Sequence, residues 1–146
     1  MLGCSDSRVP PELVFDQGLG DLFVVRVAGN VISPLGLDSI RFAVKHLKSS
    51  AIVVLGHENC GAVAAVANGT TEGVEDLALS IEPAIRNAKN KKSKDGLSQV
   101  NMCVQENVRN VVTLLKKAPA LAKLLEEGKL EVVGGYYDLE IGRAHV

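Results

Sequence analysis

The chain has 146 residues, 47% of them hydrophobic and 23% charged, with a formal net charge of -1. That suffices for one domain with a real core and is too short for two, and so even a charge balance offers nucleic acid or an anionic membrane no footprint. Aromatic residues at 3%, with no Trp, leave nothing for a base-stacking platform, and no apolar run reaches the ~18–20 residues that span a bilayer.

Met1-Leu2-Gly3 reads as the stub of a strand ending at Cys4, which predicts that upstream sequence is trimmed or missing. The start carries no basic-then-apolar run of the signal-peptide kind. Leu22–Val27 (LFVVRV), Ala51–Leu55 (AIVVL) and Leu130–Val133 (LEVV) are short, β-branched and almost continuously apolar. Such runs, separated by helical patterns, predict a parallel sheet buried on both faces, hence an α/β fold. Between the first two, Ile40, Phe42, Ala43, Val44 and Leu47 are spaced for a helix over Leu37–Leu47. The small-residue stretch Gly61–Ala67 opens a helix packed tightly on the sheet.

Asn68–Ser98 is the polar part of the chain, with a turn at Asn68–Thr71 and a lysine-rich run, Lys89–Asp95, that reads as a solvated loop or helix end. Val104, Val108, Val111, Val112 and Leu115 mark an amphipathic helix over Gln99–Leu115. A shorter helix, Ala120–Glu127, is closed by Gly128. There is no internal repeat and no linker.

Two segments concentrate unusual residue types: Cys4-Ser5-Asp6-Ser7-Arg8 after the first strand stub, and Gly56-His57-Glu58-Asn59-Cys60-Gly61 after the strand Ala51–Leu55. In an open parallel sheet, ligands bind beyond the carboxyl ends of the strands, where both segments would converge. Two thiolates and an imidazole, from Cys4, Cys60 and His57, form a set that zinc accepts. Three protein ligands leave a fourth tetrahedral position free, the mark of a catalytic site, and zinc there lowers the pKa of bound water toward ~7. Thiolates donate more charge than imidazoles, so a somewhat higher water pKa and a dependence on alkaline pH are expected. Asp6 and Arg8 fall on one side of an extended loop, where a bidentate pair would orient Asp6 and keep it ionised. Without Arg8, Asp6 could swing in as a fourth ligand.

Singly, each feature has a plainer reading: a core cysteine, a hydrogen-bonded loop histidine, a surface ion pair worth ~0–1 kcal/mol. Their coincidence at two strand ends is much harder to dismiss. Cys103 has no partner at ligand spacing and reads as core packing.

CSDSR and VLGHENCGAV closely resemble the β-carbonic anhydrases, with DQGLGDLFVVRVAGN similar to that family's second strand and LEVVGGYYDLE to its last parallel strand. The resemblance implies reversible hydration of carbon dioxide to bicarbonate and a proton by a zinc enzyme, a carbonate dehydratase acting through zinc-bound hydroxide. It implies Cys4, His57 and Cys60 as zinc ligands, one zinc per subunit, and Asp6 and Arg8 as the catalytic dyad. Gly61 would let the substrate approach closely, Gln17 is a candidate substrate contact, and Phe42 would line a neighbouring subunit's cleft. The implied fold is a four-stranded parallel sheet with an added antiparallel strand and helices on both faces, assembled as a homodimer or dimer of dimers. With no Trp, the bicarbonate regulation of some relatives is not expected. The resemblance implies N-terminal helices ahead of this start, and residues 1–140 are taken as the family's domain.

Ile141–Val146 (IGRAHV) does not resemble a family terminus. It matches the translation of a common sequencing-adapter stretch, which predicts a non-native tail. The three cysteines read as ligands or thiols in a reducing compartment, taken as the cytoplasm. Neither nucleic acid nor a membrane is an expected partner. Two alternatives stay open: hydrolysis of carbonyl sulfide or carbon disulfide on the same metal, and a zinc-binding or redox-sensing protein without turnover. Nucleotide binding has only the glycine after a strand, without either phosphate-loop pattern.

Overall fold

The structure, a computed structural model, describes residues 1–89, 91 and 96–145. The chain forms β1 (Leu2–Gly3), α1 (Pro11–Val14), β2 (Val25–Arg26), α2 (Pro34–His46), β3 (Ala51–His57), α3 (Gly61–Ala67), α4 (Glu75–Lys89), α5 (Gln99–Lys116), α6 (Pro119–Glu126), β4 (Glu131–Asp138) and β5 (Arg143–His145). A short 3-10 turn, Ala28–Asn30, follows β2. The strands make one sheet in the order β2-β1-β3-β4-β5, parallel except for β5, which runs antiparallel to β4. The expected α/β architecture is therefore present.

Successive strand residues point to opposite faces. Leu2, Ile52, Val54 and Val132 share one core with Ile40 and Val44 of α2, Val108, Val111 and Leu115 of α5, and Leu121 of α6. Gly3, turned the other way, has Pro11 of α1 3.8 Å from where its Cβ would sit. On that second face Leu55 is buried while Val53 and Val133 are half-buried.

Glycines let α5 lie close on the sheet. A Cβ on Gly56 of β3 would come within 2.6 Å of Val108 and 2.8 Å of Val104, and one on Gly134 of β4 within 2.6 Å of Val108. Only a bare backbone allows that approach. Helix ends follow local chemistry: Ser33 and Ser98 cap α2 and α5, accepting from the backbone N–H of Gly36 and Asn101. Gly128, at φ +65°, ends α6.

Two elements differ from expectation. The strand read over Leu22–Val27 is confined to Val25–Arg26, because β1 offers only Leu2 and Gly3 as partners on this edge. The polar stretch after Thr71 contains α4, a 15-residue helix with Pro83 inside it. The solvated loop read at Lys89–Asp95 falls mostly on residues 90 and 92–95, outside the described residues, although Lys91 is described and ion-pairs with Glu106 at 2.7 Å. Arg143–His145, inside the expected tail, pairs antiparallel with Tyr136–Asp138. Among the described residues no helix is long and apolar enough to cross a membrane.

Candidate metal centre

β1 and β3 are parallel neighbours, with Leu2 opposite Val54 and Gly3 opposite Leu55. Cys4 therefore leaves the sheet beside the end of β3, where His57 closes the strand and Cys60 precedes the first turn of α3. Ligand-type atoms of Cys4, His57 and Cys60 lie within 4.8 Å of one another. All three residues are buried, at 4%, 0% and 1% exposure.

This donor set fits one zinc ion. Two sulfurs at ~2.3 Å from a tetrahedral centre stand roughly 3.8 Å apart, and the two Sγ atoms are 3.9 Å apart. His57 Nδ1 lies 2.9 Å from the Glu58 carbonyl. A carbonyl only accepts, so Nδ1 carries the proton and Nε2 keeps its lone pair. Among the described residues the buried Nε2 has no hydrogen-bond partner. An orphaned imidazole nitrogen beside two thiols is the signature of a ligand set.

The thiols titrate as a pair. Hydrogen bonding from Cys60 holds Cys4 well below the ordinary thiol range against the opposing effect of burial, helped by contacts with His57 and the backbone. The same contact, with burial, pushes Cys60 up. Cys4 Sγ also accepts from the Gly29 N–H at 3.3 Å.

Asp6 and Arg8 stand at its rim. Arg8 Nε donates to Asp6 Oδ1 at 3.0 Å, Nη2 to Oδ2 at 2.6 Å, and the Arg8 backbone N–H to Oδ1 at 2.9 Å. The guanidinium hydrogen bonds hold the Asp6 carboxyl far below the usual carboxylate range, outweighing desolvation. Asp6 Oδ2 is 3.8 Å from His57 Nε2. Arg8 Nη2 also donates to the Asn59 carbonyl at 3.3 Å, tying the first motif to the second.

Gly61 adjoins open space: among the described residues, nothing outside its own turn of helix lies within 4 Å of where a Cβ would sit. The other two candidates are not brought to this cluster. Gln17 is exposed, and its amide folds back to donate to the Phe15 and Asp16 carbonyls at 2.7 and 3.1 Å. Phe42, 49% exposed on α2, stacks on His46 with centroids 5.0 Å apart. Cys103 is fully buried with Val104 and Tyr136.

Sequence reasoning missed the residues that hold these loops. Arg26 of β2 donates from Nε to the Cys4 carbonyl at 2.8 Å and from Nη2 to the Asp6 carbonyl. It is the only charge inside LFVVRV, a signal that was there to be read. Asn59, at φ +50°, makes the turn between His57 and Cys60. Asn101 and Asn107 of α5 are both buried; Asn101 reaches the second motif at Asn59, and Asn107 reaches Gly29, whose N–H donates to Cys4 Sγ.

A family profile described as carbonic anhydrase matches residues 1–144. Carbonic anhydrase 2 of Mycobacterium tuberculosis is 43% identical over 99% of this chain and 71% of the relative. A tetrameric β-carbonic anhydrase of Sordaria macrospora superposes with a TM-score of 0.84 at 29% identity, covering 99% of this chain and 77% of that one. The β-carbonic anhydrase of Coccomyxa, solved with acetazolamide, gives a TM-score of 0.81 at 33% identity, covering 99% and 68%.

Proposed function

Because this chain belongs to the carbonic anhydrase family, in its β class, we propose a division of labour among its residues for the family's reaction, the reversible hydration of carbon dioxide to bicarbonate and a proton. The enzyme is a carbonate dehydratase, and Cys4, His57 and Cys60 are positioned to hold its one zinc ion. Bound there, zinc supplies Lewis acidity, lowering the pKa of a coordinated water toward ~7. The observation that carries the reading is the buried, unpartnered His57 Nε2 within reach of two sulfurs.

Asp6 is the orienting carboxylate. Kept anionic by Arg8, it accepts the hydrogen bond of the water that attacks carbon dioxide and so directs that oxygen's free lone pair at the carbon. Arg8 fixes the rotamer of Asp6 and engages both its oxygens, which keeps the carboxylate from turning inward as a ligand. Gly61 leaves room for a linear triatomic substrate beside Cys60. Gln17 and Phe42 belong to a cleft completed by a second subunit, with the assembly a homodimer or dimer of dimers. Exposed Leu13, Leu19, Leu35 and Phe42 support that assembly. The compartment is reducing and cytoplasmic, consistent with free Cys4, Cys60 and Cys103. Family membership favours neither carbonyl sulfide hydrolysis nor a silent zinc protein.

Two variants test the roles. Cys60→Ser should lose zinc and hydratase activity together, since a neutral hydroxyl is a poor substitute for a thiolate. Asp6→Ala should keep its zinc and lose about 10–100-fold in turnover. Metal analysis with stopped-flow carbon dioxide hydration reads both, and full activity in Asp6→Ala would sink the orienting role.

A further inference from the structure

The metal-bearing loops are held from the side by a helix that contributes no ligand. We infer that Asn101 and Asn107 of α5 are positioning residues for the metal ligands, Asn101 through the Asn59 N–H of a ligand loop and Asn107 through Gly29, the neighbour that donates to Cys4. This rests on Cys4, His57 and Cys60 being the zinc site.

Asn107 is fully buried, and its Nδ2 donates to the Gly29 carbonyl at 2.7 Å, across 78 positions of sequence. The N–H of the same glycine donates to Cys4 Sγ at 3.3 Å. Gly29 sits at φ +63°, and a Cβ there would come within 2.9 Å of Ile81 Cδ1. The position is therefore restricted to the residue with the loosest backbone. The two hydrogen bonds bracket that residue and fix it from both ends. An N–H directed at a thiolate draws charge from the sulfur and sets the direction of its lone pairs, and so tunes what Cys4 gives a metal.

Asn101 does the same for the other loop. Its Oδ1 accepts from the Asn59 N–H at 2.9 Å. Asn59 takes a positive φ of 50° between His57 and Cys60, and Arg8 grips its carbonyl from the opposite side at 3.3 Å. The Asn101 acceptor and the Arg8 donor thus hold the Asn59 peptide groups in the turn that sets the His57–Cys60 spacing.

Packing alone does not explain Asn107. Among the described residues its Oδ1 is buried without a partner, so the side chain costs desolvation that one hydrogen bond only partly offsets. It also lies on the apolar face of α5, between the buried Val104 and Val111. A residue chosen for core stability would be aliphatic there.

The experiment compares the full chain with Asn101→Ala and Asn107→Ala, and with Val111→Ala as a variant destabilised on the same helix but touching neither loop. Zinc affinity is measured by chelator competition, folding of the metal-free proteins by thermal melting, and the Cys4 sulfur by the thiolate-to-metal charge-transfer band of cobalt-substituted protein. Both asparagine variants should bind zinc about 10–100-fold more weakly than the parent. In Asn107→Ala the charge-transfer band should also shift, whereas Val111→Ala should lower the melting temperature and leave affinity and band in place. Should Asn107→Ala not fold, Asn107→Leu, which fills similar space without the donor, carries the same comparison. Parent-like affinity and an unmoved band in the asparagine variants, or an equal loss in Val111→Ala, would overturn the inference. A parent chain that binds no zinc would instead overturn the site reading beneath it.

Discussion

At the scale of single residues, the site consists of groups whose ordinary behaviour has been changed by their neighbours. His57 donates its Nδ1–H to the Glu58 carbonyl and is left with the Nε2 lone pair to offer. Asp6 is an anion at any pH near neutrality because the Arg8 guanidinium grips both its oxygens. Asp6 and Arg8 should therefore act as a unit. Arg8→Ala should retain zinc and lose turnover, and the double variant with Asp6→Ala should be little worse than Asp6→Ala alone, since groups acting together are strongly non-additive. Stopped-flow rates for the three variants decide this, and losses that simply multiply would show two independent roles. These residues were legible in the sequence because their chemistry admits few substitutes: zinc sites draw on cysteine and histidine, and bidentate pairing on arginine. Arg26 was less visible, as its two bonds go to backbone carbonyls that no side-chain motif announces.

At the scale of elements, α5 connects core to site. Its Val104 and Val108 press into the bare backbone of Gly56 in β3, next to His57. Its buried Glu106 takes ion pairs from Lys91 and Arg109. Burial works to raise the Glu106 carboxyl, yet Lys91 and Arg109 prevail and hold it below its ordinary value. A carboxylate depressed in the fold contributes stability above its unfolded pKa of ~4.3 and loses it as pH falls through the folded value. Glu106→Gln should accordingly cost about 1–3 kcal/mol at neutral pH, with the gap to the parent narrowing as the solution is acidified through the glutamate range. Denaturant titrations at several pH values test this; a gap that stays constant would mean the ion pairs contribute nothing. The sequence showed α5 and β3 because long apolar periodicity and β-branched runs survive any tertiary context. It hid α4, whose apolar stripe of Ala78, Ile81, Ala84, Ile85 and Ala88 is built mostly from small residues and carries Pro83 in its middle. A proline there removes one helix bond and argues locally against the element that packing on α5 restores. The reach of Asn107 to Gly29 was illegible for a different reason: it is long-range, and only the fold brings the two together.

At the scale of the whole molecule, a four-stranded parallel sheet puts two distant motifs at neighbouring strand ends, and one antiparallel strand completes the sheet. The same frame leaves Leu19, Leu35 and Phe42 exposed and the second sheet face half-covered, which is why a partner subunit belongs to the proposed assembly. The expected non-native character of residues 141–146 stands as a proposal as well. Antiparallel pairing of Arg143–His145 uses backbone groups, which native and foreign segments share. Carbon dioxide hydration should depend on a zinc held by Cys4, His57 and Cys60. The most direct test is stopped-flow hydration by the full chain at alkaline pH, before and after chelation and again after zinc is returned, with bound metal measured each time. One zinc per chain is expected, with activity lost when the metal is removed and regained when it is returned. Hydration that persists after the zinc is gone, or its absence from a fully zinc-loaded, folded protein, would contradict that dependence.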